Sequence, residues 1–237
     1  SLMMSKWSAI HLMGAQVIEQ PSSEEERWLL ATVQRLAQAA GIPLPTVAIF
    51  QSPGLNAFAT GPSKNNSLVA VSTGLLQGMT QPEIEGVLAH ELSHIANGDM
   101  VTMALLQGVL NTFVIIFARI IGLLVDRLLS RGAQDNRRSG PGFGYFIASM
   151  VAQVVLGVLA SLIAMWFSRR REFRADAGSA RIVGKNKMIA ALQRLQAAHE
   201  PSQLPQQLAA FGINNGVAGL FRSHPPLQDR IAALQQL

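Results

Sequence analysis

Cysteine is absent from the 237 residues. Its absence excludes a disulfide framework, a thiol nucleophile and a thiolate metal ligand, so any metal would have to be held by His, Asp or Glu. Charge is sparse as well: 14% of residues are charged, where an average soluble domain has about 25%. Hydrophobic residues make up 49% and mean hydropathy is +0.26, which excludes a disordered chain. The few charges are unbalanced, with 19 Lys+Arg against 14 Asp+Glu and a pI near 10.4. Aromatics are only 6% and do not interleave with the basic residues, so no nucleic-acid partner is expected. The length suits one domain, or a domain with an appendage. The chain starts Ser1-Leu2 without an apolar stretch and small-residue cleavage site, so its start is expected to be a cut edge and not a signal peptide.

The apolar surplus is concentrated in two stretches. Phe143–Phe167 carries no charge, and as a helix it would be about 37 Å long, enough for a hydrocarbon core of about 30 Å. Met100–Val125 is similar but is interrupted by Gln107, Asn111 and Arg119. A buried core helix is the alternative for either stretch. The polar linker 126–142 joins the two as a helical hairpin whose outer ends emerge on one side. Arg131–Gly142 within it is expected to be exposed and open to self-cleavage. Arg169, Arg170, Arg171 and Arg174 follow the second stretch directly, and juxtamembrane arginine favours the cytoplasmic face. Arg127, Arg131, Arg137 and Arg138 in the linker make that sidedness signal mixed.

Outside the hairpin the pattern is α+β. Ser22-Ser23 followed by Glu24-Glu25-Glu26 predicts a capped helix that Gly41 ends. Thr46–Gln51 and Leu68–Ser72 are β-branched runs, with Asn56–Thr60 as a third, edge strand. Thr80, Pro82 and Glu83 open a helix that runs to about Asn97. Further helices are expected near Arg169–Val183, Lys185–His199 and Leu227–Leu237. The expected organisation is 1–99 as the first part of a catalytic domain, 100–167 as an inserted membrane-associated hairpin, and 168–237 as the second part.

His90-Glu91-Leu92-Ser93-His94 lies in the middle of the Thr80 helix. Residues four apart share a helix face, so both imidazoles can reach one ion, with Glu91 one step round. This is the arrangement of two neutral His ligands and a Glu general base at zinc. Composition alone predicts about 0.004 such matches in this chain. A pair of surface or capping histidines is the alternative. A catalytic zinc needs a third protein ligand and an open position. Glu172 is the best candidate, because the hairpin returns its helix to the side where the His helix ends; a salt bridge among the arginines is the competing use. Asp176, one turn on, could accept the second ring N–H of a ligating His. His11 and His199 are expected to be structural.

His90-Glu91-Leu92-Ser93-His94-Ile95-Ala96-Asn97-Gly98-Asp99, Glu172-Phe173-Arg174-Ala175-Asp176 and Ser223-His224-Pro225-Pro226 together resemble the HtpX-like membrane zinc proteases of bacteria. Asn56–Gly61 and Trp166–Arg169 match them too, so the resemblance covers nearly the whole chain. It implies a mainly helical zincin-like metalloprotease domain of gluzincin type, with a small β-sheet and the inserted hairpin. It implies one Zn²⁺ held by His90, His94 and Glu172, with Glu91 as base and Asp176 behind the ligands. It further implies quality control of misfolded or damaged membrane proteins at the bacterial inner membrane, by a multi-pass zinc metalloendopeptidase whose active site faces the cytoplasm. His224 and Arg230 match an element near the active site, one of them to stabilise the oxyanion. Asn56, Ala57, Phe58 and Ala59 would pair with an extended substrate. Members carry two further hydrophobic spans before the catalytic region, which fits a cut edge here. Two other functions share part of this pattern: a zinc peptidase or amidase of narrow specificity, and a membrane scaffold with a structural zinc site. An intact Glu91 argues against the scaffold, since a structural site needs no base.

Overall fold

The computed structural model describes residues 2–130, 142–199 and 225–237. In chain order the elements are α1 (Leu2–Leu12), β1 (Gln16–Val17), α2 (Glu24–Ala39), β2 (Thr46–Phe50), β3 (Ala57–Ser63), β4 (Asn66–Ser72) and α3 (Thr73–Gly78). They continue with α4 (Gln81–Asn97), α5 (Asp99–Ser130), α6 (Phe143–Val183), α7 (Lys185–His199) and α8 (Leu227–Gln235). The fold class is α+β and mainly helical, as expected. His224 and most of the Arg131–Gly142 linker lie outside the described residues.

Four strands form one sheet in the order β1-β2-β4-β3. β2 and β4 are parallel, with Thr46 opposite Leu68 and Phe50 opposite Ser72, while β3 returns antiparallel to β4 as an edge strand. Alternation sends Val47, Val69, Val71, Ala57 and Ala59 to one face, where they pack with α2 and α4 side chains such as Leu36, Leu88 and Leu92. Ala48, Phe50, Leu68, Ala70 and Phe58 pack on the other face, where Ala9 and Ile10 of α1 cover them.

α4 is the central helix. Glu83 accepts hydrogen bonds from the Thr80 backbone N–H at 2.7 Å and hydroxyl at 2.9 Å, which fixes its start. Gly98 ends it in the left-handed region at φ 71°, where a side chain would be strained. α6 crosses α4 through small residues. Ser179 Oγ donates to the Gly86 carbonyl at 3.0 Å, and a Cβ on Gly178 would stand 2.7 Å from Ser93 Oγ. This close approach brings the far end of α6 to the His90–His94 face.

α5 and α6 form the expected hairpin. Both are long and apolar enough to cross a membrane, and only 11% and 6% of their most apolar windows are buried. Core helices of a soluble protein are mostly buried, so these are not core helices. A Cβ on Gly122 would meet Ser149 Cβ at 2.9 Å, so a small residue lets the two backbones approach. Asp126 accepts from the Gly142 and Tyr145 backbone N–H groups at 3.2 Å, capping the start of α6. α6 differs from the expectation in one respect: it continues unbroken past Phe167 to Val183. No Gly or Pro lies between Gly157 and Gly178, so nothing stops the helix where its apolar part ends.

Candidate metal centre and active-site cleft

α4 places His90 and His94 one turn apart, both buried. α6 adds Glu172 and Asp176, each 2% exposed. The His90 and His94 Nε2 atoms are 3.1 Å apart. Glu172 Oε2 is 3.5 Å from His90 Nε2, and Oε1 is 3.4 Å from His94 Nε2. Ligand atoms at about 2.0–2.1 Å from a tetrahedral ion stand about 3.3 Å from one another, so the three groups have the spacing of a single metal site.

The partners of the two Nδ1 atoms support the same reading. His90 Nδ1 lies 2.9 Å from Asp176 Oδ1, and His94 Nδ1 lies 2.6 Å from Asp99 Oδ2. Each carboxylate draws the proton to Nδ1, which turns both Nε2 lone pairs inward at each other and at a carboxylate. Lone pairs and negative charge converging at 3.1–3.5 Å repel unless a cation lies among them. The titration of the histidines reflects the same demand for positive charge. Burial pulls His90 down, but its hydrogen bonds to Asp176 and Glu172 outweigh it, so its pKa is raised. Burial opposes the charge on His94 too, yet Asp99 and Glu172 push it up to about 9. The donor set therefore fits a dication such as zinc.

Arg230, from α8, clamps the rear of the site. Its Nε and one terminal nitrogen donate to the two oxygens of Asp176 at 2.7 and 2.6 Å, a forked pair that also fixes orientation. Its NH1 lies 3.4 Å from Glu172 Oε2. Burial disfavours the guanidinium charge, but Asp176 outweighs that and its pKa is raised.

A cleft of about 660 Å³ opens onto this group. His90, Glu91, Glu172 and Arg230 line its polar side. Met188, Leu192 and Leu195 of α7 and the 52–55 loop form the apolar walls. That loop is held rigidly: Ser72 Oγ donates to the Gly54 carbonyl at 2.6 Å, and Gly74 N–H donates to the Ser52 carbonyl at 2.8 Å. A Cβ on Gly74 would fall 2.2 Å from the Pro53 carbonyl oxygen, so only glycine admits the loop there.

Residues 23–237 match peptidase family M48. The chain belongs to that family. The protease HtpX homolog of Nitrosomonas europaea is 61% identical over 238 residues, a match covering 99% of this chain and 80% of that protein. Protease HtpX of Pasteurella multocida is 62% identical over 241 residues, covering 100% of this chain and 82% of the relative. The crystal structure of S. mikatae Ste24p shares the fold, with a TM-score of 0.67 at 21% identity. The match covers 98% of this chain and 54% of Ste24p, so this chain spans about half of that structure. The resemblance to HtpX-like proteases holds, and this M48 peptidase is a membrane metalloprotease.

Of the site residues expected from sequence, the structure brings together His90, His94, Glu172, Asp176, Glu91 and Arg230. Asn56 and Ala57 line the cleft of this M48 peptidase. Phe58 turns to the other face of the sheet, with its ring 5.5 Å from that of Phe50, and Ala59 packs against the main core. His11 stacks on Trp7 at 4.3 Å, away from the cleft. Sequence reasoning missed Asp99 as a partner of His94. Its signal was an acid directly after a helix-ending glycine, within reach of the second His. It also missed the 52–55 loop and the α7 wall, for which no motif exists.

Proposed function

We propose that this M48 peptidase is a zinc-dependent endopeptidase of the bacterial inner membrane that cuts misfolded or damaged membrane proteins. The observation that carries this reading is the placement of Glu91 beside the His90–His94–Glu172 group on the wall of an open cleft. The catalytic unit comprises residues 1–99 and 168–237, with 100–167 as the membrane hairpin. Two His and one Glu form a donor set that suits catalytic zinc, and zinc there supplies Lewis acidity to a bound carbonyl.

The chain's own groups do the rest. Glu91 accepts a proton from the attacking water and passes it to the leaving amine. Asp176 and Asp99 keep the Nδ1 protons on His90 and His94 in place, so both Nε2 atoms remain acceptors toward the cleft. Arg230 spends Nε and NH2 on Asp176 and holds NH1 3.4 Å from Glu172 Oε2 while lining the cleft; from the family resemblance, Arg230 or His224 is assigned to stabilise the oxyanion. Ala57–Ala59 lies on the edge strand β3, with Asn56 directly before it, and backbone pairing there would accept many sequences, with side-chain reading left to the pockets. Arg169–Arg174 beside the apolar part of α6 supports a cytoplasmic active site.

The test is to reconstitute the chain in bilayers and offer it an unfolded membrane protein beside a folded soluble one. Cleavage of the unfolded substrate alone, abolished by a chelator and restored by zinc, is the expected result. Absence of any zinc-restorable peptide-bond cleavage would overturn the proposal, and cleavage restricted to one short soluble peptide would replace it with a narrow peptidase.

A further inference from the structure

α6 carries a second chemistry on the side away from the metal. Counting about 100° per residue from Trp166 places Arg170, Arg174 and Arg181 at about 40°, 80° and 60°, all on one face. Glu172 and Asp176 fall at about 240° and 280°, on the opposite face. All three arginines are exposed, whereas Glu172 and Asp176 are buried. Among the described residues none of the three makes an ion pair. Trp166 is 52% exposed, and the Arg170 guanidinium sits over its ring at 5.2 Å from the centroid. Towards the start of α6 the same face continues through exposed Ile163, Leu159 and Val155. One straight stripe thus passes from aliphatic, through an amphipathic aromatic, to cationic.

That order is the polarity profile of one leaflet. Trp sits at the boundary of the hydrocarbon, and the headgroup layer beyond it is about 5–8 Å deep. At about 1.5 Å per residue, Arg170 lies about 6 Å past Trp166 and Arg174 about 12 Å, while Arg181 lies about 22 Å away. Helical side chains lean back towards the helix start, so the guanidiniums of Arg170 and Arg174 reach the phosphate layer, while that of Arg181 does not.

We propose that Arg170 and Arg174, with Trp166 as the depth marker, form a docking surface for the headgroup of an anionic phospholipid. The occupant is a lipid and not a soluble anion, because the cations continue an apolar face that only a bilayer covers. The consequence for the enzyme is mechanical. The turns of α6 that seat the lipid are those that carry Glu172 and Asp176, so the headgroup fixes the height of the metal-site end of the helix.

Trp166 provides the readout in a chain whose other two tryptophans are replaced, Trp7→Phe and Trp28→Phe. The full chain is reconstituted in phosphatidylcholine bilayers containing a small fraction of brominated phosphatidylglycerol, or the same fraction of brominated phosphatidylcholine, and tryptophan quenching is compared. The expected result is stronger quenching by the brominated phosphatidylglycerol, weakening as salt is raised. An arginine near an anionic surface contributes about a fivefold preference, so Arg170→Gln and Arg174→Gln should each lower the preference about fivefold. Arg181→Gln should leave it unchanged. Equal quenching by the two lipids in that chain overturns the proposal without any arginine variant. Loss of the preference in Arg181→Gln as large as in Arg170→Gln also overturns it, since bulk charge and not a seated headgroup would then be responsible.

Discussion

Asp99 Oδ2 lies 2.6 Å from His94 Nδ1, five residues along the chain and across the left-handed Gly98. Asp99 is 2% exposed and is also the first residue of α5. Asp176 of α6 does the same for His90. Each histidine of the candidate metal group is therefore oriented by a carboxylate from one of the two long apolar helices, and the third member of that group, Glu172, also belongs to α6. The active site and the hairpin form one unit. Replacing Asp99 with Asn should weaken metal binding about 10- to 100-fold, measured by competition with a chromophoric chelator. Wild-type affinity in Asp99→Asn would show that the pair is incidental.

Metal should change how the stability of the chain responds to pH. His94 is raised to about 9 from 6.5. A raised pKa means that the folded state holds the proton more tightly, so this stabilisation is complete below about pH 6.5 and is lost as pH rises through about 9. The chelated chain should therefore melt lower above pH 9 than near pH 6.5. Metal requires the deprotonated imidazole, so the metal-induced rise in melting temperature should grow over the same interval. Thermal melts of both forms across this range check the two signs.

Much of the site was legible because its determinants are local. The His90–His94 pair depends only on helical spacing, and its helix announces itself through Thr80, Pro82 and Glu83. Glu172 and Asp176 could be placed because a hairpin must bring its second arm back beside its first. The remainder depends on contacts that no local pattern encodes. Arg230 meets Asp176 across 54 positions, and the cleft wall depends on Gly74 admitting a loop 20 residues earlier. No motif predicts α1, whose apolar residues form no single stripe, and β1, at two residues, is too short for alternation to appear. The unbroken α6 follows from an absence, that of any helix-breaking residue where hydropathy drops.

Packing of α4 against α7 gives a stability prediction. A Cβ at Gly86 would stand 2.8 Å from the Lys187 carbonyl oxygen and 3.1 Å from Ala191 Cβ. Ala is favoured over Gly in a helix by about 1 kcal/mol, but backbone cannot move aside cheaply, and overpacking costs about 1–3 kcal/mol. Gly86→Ala should thus lower the melting temperature of the metal-loaded chain. A rise would mean that α7 sits farther from α4 than the structure places it.

The forked contact of Arg230 with Asp176 should not tolerate lysine, which cannot span both oxygens. Arg230→Lys keeps the charge but should lower kcat/KM by one to two orders of magnitude, with a smaller loss in metal affinity than Asp99→Asn. Equal losses in both quantities would assign Arg230 to holding the metal site alone.

The central claim is that Glu91 moves the proton at a metal held by His90, His94 and Glu172. Its most direct test sets the zinc-loaded, detergent-purified chain beside Glu91→Gln, with casein as an unfolded substrate and zinc content measured on both. Both should carry one zinc per chain, and only the parent should cut, with a rate advantage of at least about 10²-fold that a chelator removes. Equal cleavage by a zinc-loaded Glu91→Gln chain, or a parent that is folded and zinc-bound yet cuts nothing, would contradict the account.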